Sequence, residues 1–383
     1  MTHPVPFVRR VRVKNYRSIA DCDVSLGPLT VLLGFNASGK SNFLDVLRFV
    51  ADALENSPPQ AVAHRGGLET LLHRTPDSTA ESFEIWLDLS LHLPKTDEDV
   101  AATYGFEIAS DPGTEFGPLR VLREAGTVGS LRLPLDASGR TSRLRLPASA
   151  IDEDEPQAVL ESALRAMRFY ELDSTVLRDL DEKATGQPSL GSAGEHLGPV
   201  LGELARDRIG KERFDAYVSA LVPGALGVDE RREGRYSTVQ ARFRAGDGDG
   251  EDVFLREALS EGTVRAAGVL AALFQPPAFA GRIPLVGIEE PEVALHPAGV
   301  GALYEALDDA SARTQVIVTS QSSDLLDSEY ARLEHVRAVA NVDGVTHIGA
   351  VDAAGQAIVE KGLMSISELH RSGQMRPEQV DAA

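Results

Sequence analysis

Residues 34–41 read Gly-Phe-Asn-Ala-Ser-Gly-Lys-Ser, the spacing G-x-x-x-x-G-K-[ST] of a loop that cradles phosphates. Each residue type has a task in that chemistry. Gly34 and Gly39 let the backbone curl so that the N–H groups of Asn36, Ala37, Ser38 and Gly39 turn inward toward phosphate oxygens. Lys40 brings an ammonium to the outer phosphates, and Ser41 offers a hydroxyl ligand to Mg²⁺. Asn42 opens a helix whose N-terminus adds the positive end of its dipole. The plainer alternative is a glycine turn that happens to carry a lysine.

A second group sits far along the chain. The apolar run Ile283–Ile288 ends in Glu289-Glu290-Pro291-Glu292. In open α/β sheets, ligands gather at the carboxyl ends of strands. One carboxylate there, Glu289, can hold Mg²⁺, directly or through water. The next, Glu290, can orient or deprotonate an attacking water. The alternative is a solvated turn that caps the helix expected at 298–310. Leu259-Ser-Glu-Gly-Thr263 is a third candidate. Ser260 and Gly262 ahead of a helix suit an anion, and Ser260 equally suits an N-cap.

The elements around these residues follow from periodicity. Val11 and Val13 alternate with Arg12 and Lys14, as in a half-buried strand. Leu29–Leu33 is continuously apolar and suits a buried central strand. Phe43, Leu44, Leu47, Val50 and Leu54 then take helical spacing. Residues 82–146 predict an antiparallel β region, with Phe83 to Leu93 alternating strictly and Trp86 alone spoiling the polar face. Asp152–Pro156 is an acidic turn into helical pieces that run to about Val222. Asp229–Arg244 returns to strand, and Gly246–Gly250 is a turn cluster. Helix 263–274, strand 284–289, helix 298–310 and strand 314–319 alternate as parallel βαβ units do.

Composition narrows the class. The 383 residues carry a formal charge of −20, which argues against a broadly basic, DNA-coating surface. A local basic patch stays open: Arg9, Arg10, Arg12, Lys14 and Arg17 come before any acidic residue. The single cysteine, Cys22, excludes an intramolecular disulfide and a Cys-rich zinc site. No membrane span and no signal-peptide core is visible, so the chain reads as cytoplasmic.

Further segments resemble a known family. Leu259–Thr263 looks like the signature loop of ABC-type ATPases. Glu290-Pro-Glu-Val-Ala-Leu-His-Pro297 resembles their Walker B and D-loop stretch. Val316–Ser322 resembles the strand and switch that normally read T-T-H-S, and Asn15-Tyr-Arg-Ser18 resembles their entry strand. Ser260 lies 30 residues before Glu290 and Gln321 lies 31 after it. In that order the segments resemble stand-alone ATPases of the OLD/RecF/SMC-like ABC group.

The resemblance implies an α/β P-loop ATPase head: a mixed sheet, an antiparallel β subdomain and a helical insertion. The expected division is an N-terminal lobe at 1–150, the insertion at 151–228, a C-terminal lobe at 229–350 and a tail at 351–383. It implies ATP and Mg²⁺ as ligands and a head-to-head homodimer in which Ser260 and Gly262 complete the partner's site. Lys40, Glu290 and Gln321 would be the catalytic groups. His296 would be structural or dimer-facing. The first reading of function is that ATP state is coupled to action on nucleic acid, in repair or anti-phage defence; the alternative is an ATP-gated scaffold that recruits a separate effector protein, and a small-molecule kinase is the remaining enzyme reading. There are departures too. Gln321 stands where the switch histidine is usual, Glu289 stands where Asp is usual, and Gln60 in Ser57-Pro-Pro-Gln60 is a poor Q-loop. Glutamine cannot take a proton at neutral pH, so hydrolysis is expected to be slow. The 33 residues after Ala350 are too few for an appended nuclease unit, and Asp21/Asp23 and Asp247/Asp249 read as turns. The tail from Leu363, with a helical hint at 365–371, is expected to fray.

Overall fold

The computed structural model describes residues 6–110, 119–133, 154–182, 188–246 and 250–378. Expectations for 111–118, for 134–153 and for Asp247/Asp249 fall outside the described residues. The chain divides into two compact units. The first comprises Met1–Met167, Val336–Gln356 and Met375–Ala383; the second comprises Arg168–His335 and Ala357–Gln374.

The first part of the chain forms β1 (Val8–Tyr16), β2 (Ile19–Ser25), β3 (Leu29–Leu33), α1 (Lys40–Glu55) and α2 (Pro58–Ala63). There follow β4 (Ser82–Leu93), β5 (Glu98–Ser110), β6 (Leu119–Val128), β7 (Leu131–Arg132) and α3 (Pro156–Arg165). β2, β1, β4, β5, β6 and β7 make one antiparallel sheet in that order. The alternation seen in sequence is its cause: Phe83, Ile85, Leu87, Leu89 and Leu91 are all buried on one face. Tyr16, Phe49, Phe83 and Phe106 meet edge-on or tilted, with ring centroids 5.3–6.1 Å apart along the chain of contacts. Trp86 on the other face is covered by Arg123, whose guanidinium lies 4.6 Å from the ring centre. Gly105 makes room for it, since a Cβ there would come within 2.2 Å of the indole.

The second unit runs through β8 (Arg168–Tyr170), β9 (Asp181–Glu182), α4 (Leu197–Leu204), α5 (Arg208–Leu221), β10 (Ala225–Glu233), β11 (Tyr236–Ala245) and β12 (Gly250–Leu255). It continues with α6 (Glu261–Phe274), α7 (Pro276–Phe279), β13 (Leu285–Glu289), α8 (Pro297–Ser311) and β14 (Gln315–Ser320). β13 pairs in parallel with both β14 and β8. With α8 as the crossover, this is the βαβ unit that the alternation of patterns predicts. α6 is buried along nearly its whole length from Thr263 to Phe274, which its Ala-rich, charge-poor sequence permits.

β15 (Val336–Val342) and β16 (Val345–Gly349) belong to the first unit, where β15 lies parallel to β3 and antiparallel to β16. α9 (Ala353–Glu360) and α10 (Ile366–Arg371) close the described chain. The expectation of a fraying tail is overturned for its described residues, 363–378. Ser365 and Glu368 form a reciprocal capping box, Leu369 is fully buried, and Arg371 pairs with Asp324 and Asp327. Among the described residues, no helix is long and apolar enough to cross a membrane.

Candidate functional site

In the first unit, β3 delivers the chain into a tight loop. α1 then starts at Lys40, with Gly39 as N-cap at φ 102° and Ala37 at φ 60°. Left-handed residues of this kind are what a phosphate nest is built from, and the turn between them is closed by the Ser38 N–H donating to the Phe35 carbonyl at 3.2 Å. Lys40 Nζ donates to the carbonyls of Gly34 at 2.8 Å and Phe35 at 2.9 Å, so the ammonium is folded over the loop. Asn36, Ala37 and Ser41 are exposed, while Lys40 and Ser38 are buried. Ser38 Oγ has no hydrogen-bond partner among the described residues. A buried orphan hydroxyl costs about 1–3 kcal/mol unless something binds it, so this loop fits a phosphate.

The glycines are sterically required. A Cβ on Gly34 would meet the Val339 carbonyl oxygen at 2.2 Å, and one on Gly39 would meet Thr346 Oγ1 at 2.0 Å. Thr346 in β16 donates to the Ser38 carbonyl at 3.0 Å and shares a hydrogen with Ser18 Oγ at 2.7 Å. Asn42 Nδ2 donates to the same Ser18 oxygen at 2.6 Å. Asn42 therefore braces the loop from behind. Sequence reasoning missed Ser18 and Thr346 as its supports. Beside them, Asp45 accepts from Tyr16 at 2.8 Å and pairs with Arg65 at 2.8 Å and Arg17 at 3.0 Å. Burial pushes the Tyr16 phenol well above its usual range, and the Asp45 charge adds to that. Arg17, Arg65 and Arg74 line an open cleft of about 510 Å³. Further along β1, Arg10 and Arg12 are engaged in ion pairs with Asp23 and Asp88.

In the second unit, Glu289 ends β13 opposite Thr319 of β14. Glu290 follows at φ 43° and Ala294 takes φ 65°. Non-glycine residues there cost about 1–3 kcal/mol each, and such strain is retained where surroundings dictate it. The Glu290 N–H is held by the Thr319 carbonyl at 3.0 Å and by Thr319 Oγ1 at 3.2 Å. Gln321 Nε2 donates to Glu290 Oε2 at 3.2 Å, so the two residues expected to handle water do meet. Glu292 is buried, and its Oε1 lies 2.5 Å from Ser320 Oγ.

Ser260 caps α6: its Oγ accepts from Thr263 N–H at 3.1 Å, so the local N-cap reading holds. A Cβ on Gly262 would meet the Ala294 carbonyl oxygen at 2.5 Å, so the close approach of this helix to the carboxylate turn itself demands glycine. His296 Nδ1 accepts from Ala298 N–H at 3.2 Å and caps α8. Gln60 lies in α2, where Ser57 Oγ receives its N–H at 3.4 Å. Lys40 and Ser41 are thus in one unit, and Glu289, Glu290, Gln321, Ser260 and Gly262 in the other.

Comparison with known proteins agrees with this fold. A family model described as "AAA domain, putative AbiEii toxin, Type IV TA system" matches residues 29–327. No curated protein matches the chain. A crystal structure of the SmcHead bound to the C-winged helix domain of ScpA superposes with a TM-score of 0.55 at 17% identity, covering 90% of this chain and 97% of that one. The Smc head domain with an extended coiled coil, bound to the C-terminal domain of ScpA and derived from Pyrococcus furiosus, gives 0.57 at 14%, covering 94% and 100%. At these identities the likeness is one of fold, a mixed α/β P-loop ATPase head. The chain belongs to the AAA family named by that model, a family that suggests ATPase activity.

Proposed function

We propose that the protein is an ABC-type ATPase that binds ATP with Mg²⁺ and hydrolyses it slowly. The observation that carries this reading is the loop before α1. Lys40 is folded onto the Gly34 and Phe35 carbonyls, Gly39 is left-handed, and an orphan Ser38 hydroxyl lies within it. In this reading Gly34 and Asn36 to Ser41 hold the phosphates, Asn42 braces the loop behind them, and Lys40 neutralises charge that develops on them. Ser41 and Glu289 would hold Mg²⁺. Both offer hard oxygen donors, which suit an ion that keeps water and phosphate oxygens as its remaining ligands. The ion would supply charge neutralisation on the outer phosphates.

Glu290 accepts the proton of the attacking water, and Gln321 orients that water and senses the outermost phosphate. Ser260 and Gly262 serve the nucleotide of a second copy in a head-to-head homodimer. Their placement at the positive end of α6 suits an anion. The basic stretch of β1 is a weaker nucleic-acid contact than its sequence suggests, because Asp23 and Asp88 already pair with Arg10 and Arg12.

A second reading is favoured by Gln321, which replaces a side chain that could take a proton. ATP binding would close the dimer and recruit a separate effector protein, with hydrolysis as the reset. The SMC heads above were solved with a bound partner domain, and a separate chain would occupy the corresponding role here. The test is the solution mass of the Glu290→Gln protein with and without ATP and Mg²⁺. A monomer-to-dimer shift supports the sandwich. Bound ATP without a shift means that the dimer is constitutive, when the mass is that of a dimer throughout, or that closure needs another chain, when it is that of a monomer.

A further inference from the structure

Glu292, two residues beyond Glu290, is a buried carboxyl group that the proposed hydrolysis does not use. It is 8% exposed, and its Oε2 has no hydrogen-bond partner among the described residues. Its Oε1 lies 2.5 Å from Ser320 Oγ. That hydroxyl oxygen has two other neighbours. The Ser322 carbonyl oxygen lies 2.9 Å away, and the Ser322 N–H donates to it at 3.1 Å.

The hydrogens can be counted. The Ser320 hydroxyl has one hydrogen and two oxygens within reach to take it, Glu292 Oε1 at 2.5 Å and the Ser322 carbonyl at 2.9 Å. The Ser322 N–H occupies one lone pair of Ser320 Oγ. A protonated Glu292 supplies the second hydrogen, so that both contacts become hydrogen bonds, and it spares the buried Oε2, which no described group reaches, a negative charge. We infer that Glu292 is a neutral carboxylic acid in the folded protein, and that its O–H, donated to Ser320 Oγ, fixes residues 320–322 so that Gln321 is held against Glu290.

The surroundings agree with this. Burial is the largest influence on Glu292 and raises its pKa above the usual glutamate range; the charge of Glu290 raises it too, while the Ser320 hydroxyl and the N–H groups of Glu292 and Ser322 pull back less. From the carboxylate turn the charged group facing it is Glu290; from the end of β14 the groups facing it are the uncharged Ser320 and Ser322. Ionisation would set a second negative charge beside Glu290 and leave Ser320 with one hydrogen for two acceptors. Glu292 is thus a positioning residue, and its effect on turnover rests on the roles proposed for Glu290 and Gln321.

The experiment uses the full chain, labelled with ¹³C at glutamate side-chain carboxyls and followed by NMR as pH is raised. The expected result is a neutral-acid signal that persists at pH values where an ordinary glutamate, with a pKa of about 4.3, is ionised. That signal is absent in Glu292→Gln, persists in Glu290→Gln and moves in Ser320→Ala. If no signal lost in Glu292→Gln is a neutral acid at neutral pH, the inference is overturned. Should Glu292→Gln not fold, the shift in Ser320→Ala decides: an unmoved set of signals overturns it equally.

Turnover gives the second readout. Wild-type kcat is expected to fall on the alkaline side. The amide of Glu292→Gln also donates to Ser320, so this variant is expected to lose the alkaline fall, whereas Glu292→Ala is slowed about tenfold at every pH, or 1.4 kcal/mol in barrier. An alkaline fall unchanged in Glu292→Gln overturns the coupling. Wild-type turnover in Glu290→Gln would remove Glu290 from its proposed role and leave the neutral acid standing, so the two failures are distinguishable.

Discussion

Gln321 Nε2 donates to Glu290 Oε2 across 3.2 Å, joining the segment after β14 to the turn after β13. An amide donates in that position but cannot accept a proton from water, so Glu290 is the sole base of the pair. Glu290→Gln keeps shape and loses basicity. It is expected to retain ATP and to slow turnover about 100-fold or more, the usual scale for removing a general base. Gln321→Ala removes the orienting donor and should cost less. Single-turnover hydrolysis with pre-bound ATP measures both, and an unimpaired Glu290→Gln would remove that residue from the mechanism.

Lys40→Ala deletes the ammonium folded over the phosphate loop and is expected to abolish tight ATP binding while leaving the fold intact. Gly39→Ala is predicted to be harsher on the loop. It forces an alanine to φ 102° and places its Cβ 2.0 Å from Thr346 Oγ1. Strain of that kind costs about 1–3 kcal/mol. Equilibrium ATP binding and thermal unfolding separate the two. A Gly39→Ala protein with wild-type affinity would show that the loop relaxes away from Thr346.

Arg65 is 6% exposed in its side chain and pairs with Asp45 and Asp52. Removing one partner of a buried pair leaves the other charge desolvated, at about 3–5 kcal/mol. Arg65→Met is therefore expected to destabilise by about 3 kcal/mol, softened by Arg17 and Tyr16, which still reach Asp45. Denaturant unfolding of Arg65→Met and of Asp45→Asn/Arg65→Met tests this. The double variant should recover part of the loss, because no lone charge remains buried.

What was legible in the sequence was whatever is local or periodic. The strict alternation from Phe83 to Leu93 named a strand and its buried face. The G-x-x-x-x-G-K-S spacing named the loop, and the apolar run into Glu289 named the strand that carries the carboxylates. What was not legible depends on residues distant in the chain. Thr346 is 328 residues from Ser18, yet the two together hold the loop from behind. The positive φ of Glu290 and the need for glycine at 262 come from how that turn packs, which no spacing announces. The order of α10 is announced only by Ser365 and Glu368 at capping-box spacing, a short signal set in an otherwise polar stretch.

Cys22 is 3% exposed, and burial pushes its thiol up to about 12, with Asp21 and Asp23 adding to the rise. Reaction needs the thiolate, so at pH 8 the native protein holds almost none. Alkylation by iodoacetamide at that pH is expected to be slower than that of a free cysteine by more than a hundredfold, and to become fast once the protein is unfolded. Its rate in the native state then follows global opening of β2. Rapid native labelling would mean that this edge strand opens locally.

α10 packs on the turn Ser323–Leu326, which begins two residues after Gln321, so the tail is placed to support the switch segment. Two kinds of contact fasten it, and they should differ in weight. Leu369 is fully buried, so Leu369→Ala is expected to cost about 2–5 kcal/mol. Arg371 reaches Asp324 and Asp327 but its side chain is half exposed, so solvent screens the pairs and Arg371→Ala should hardly move the melting temperature. Hydrogen exchange discriminates further. In Leu369→Ala, amides of residues 320–327 should exchange faster along with those of 366–371, because the turn loses the helix that covers it. If exchange rises only within 366–371, the tail rests on the switch segment without supporting it.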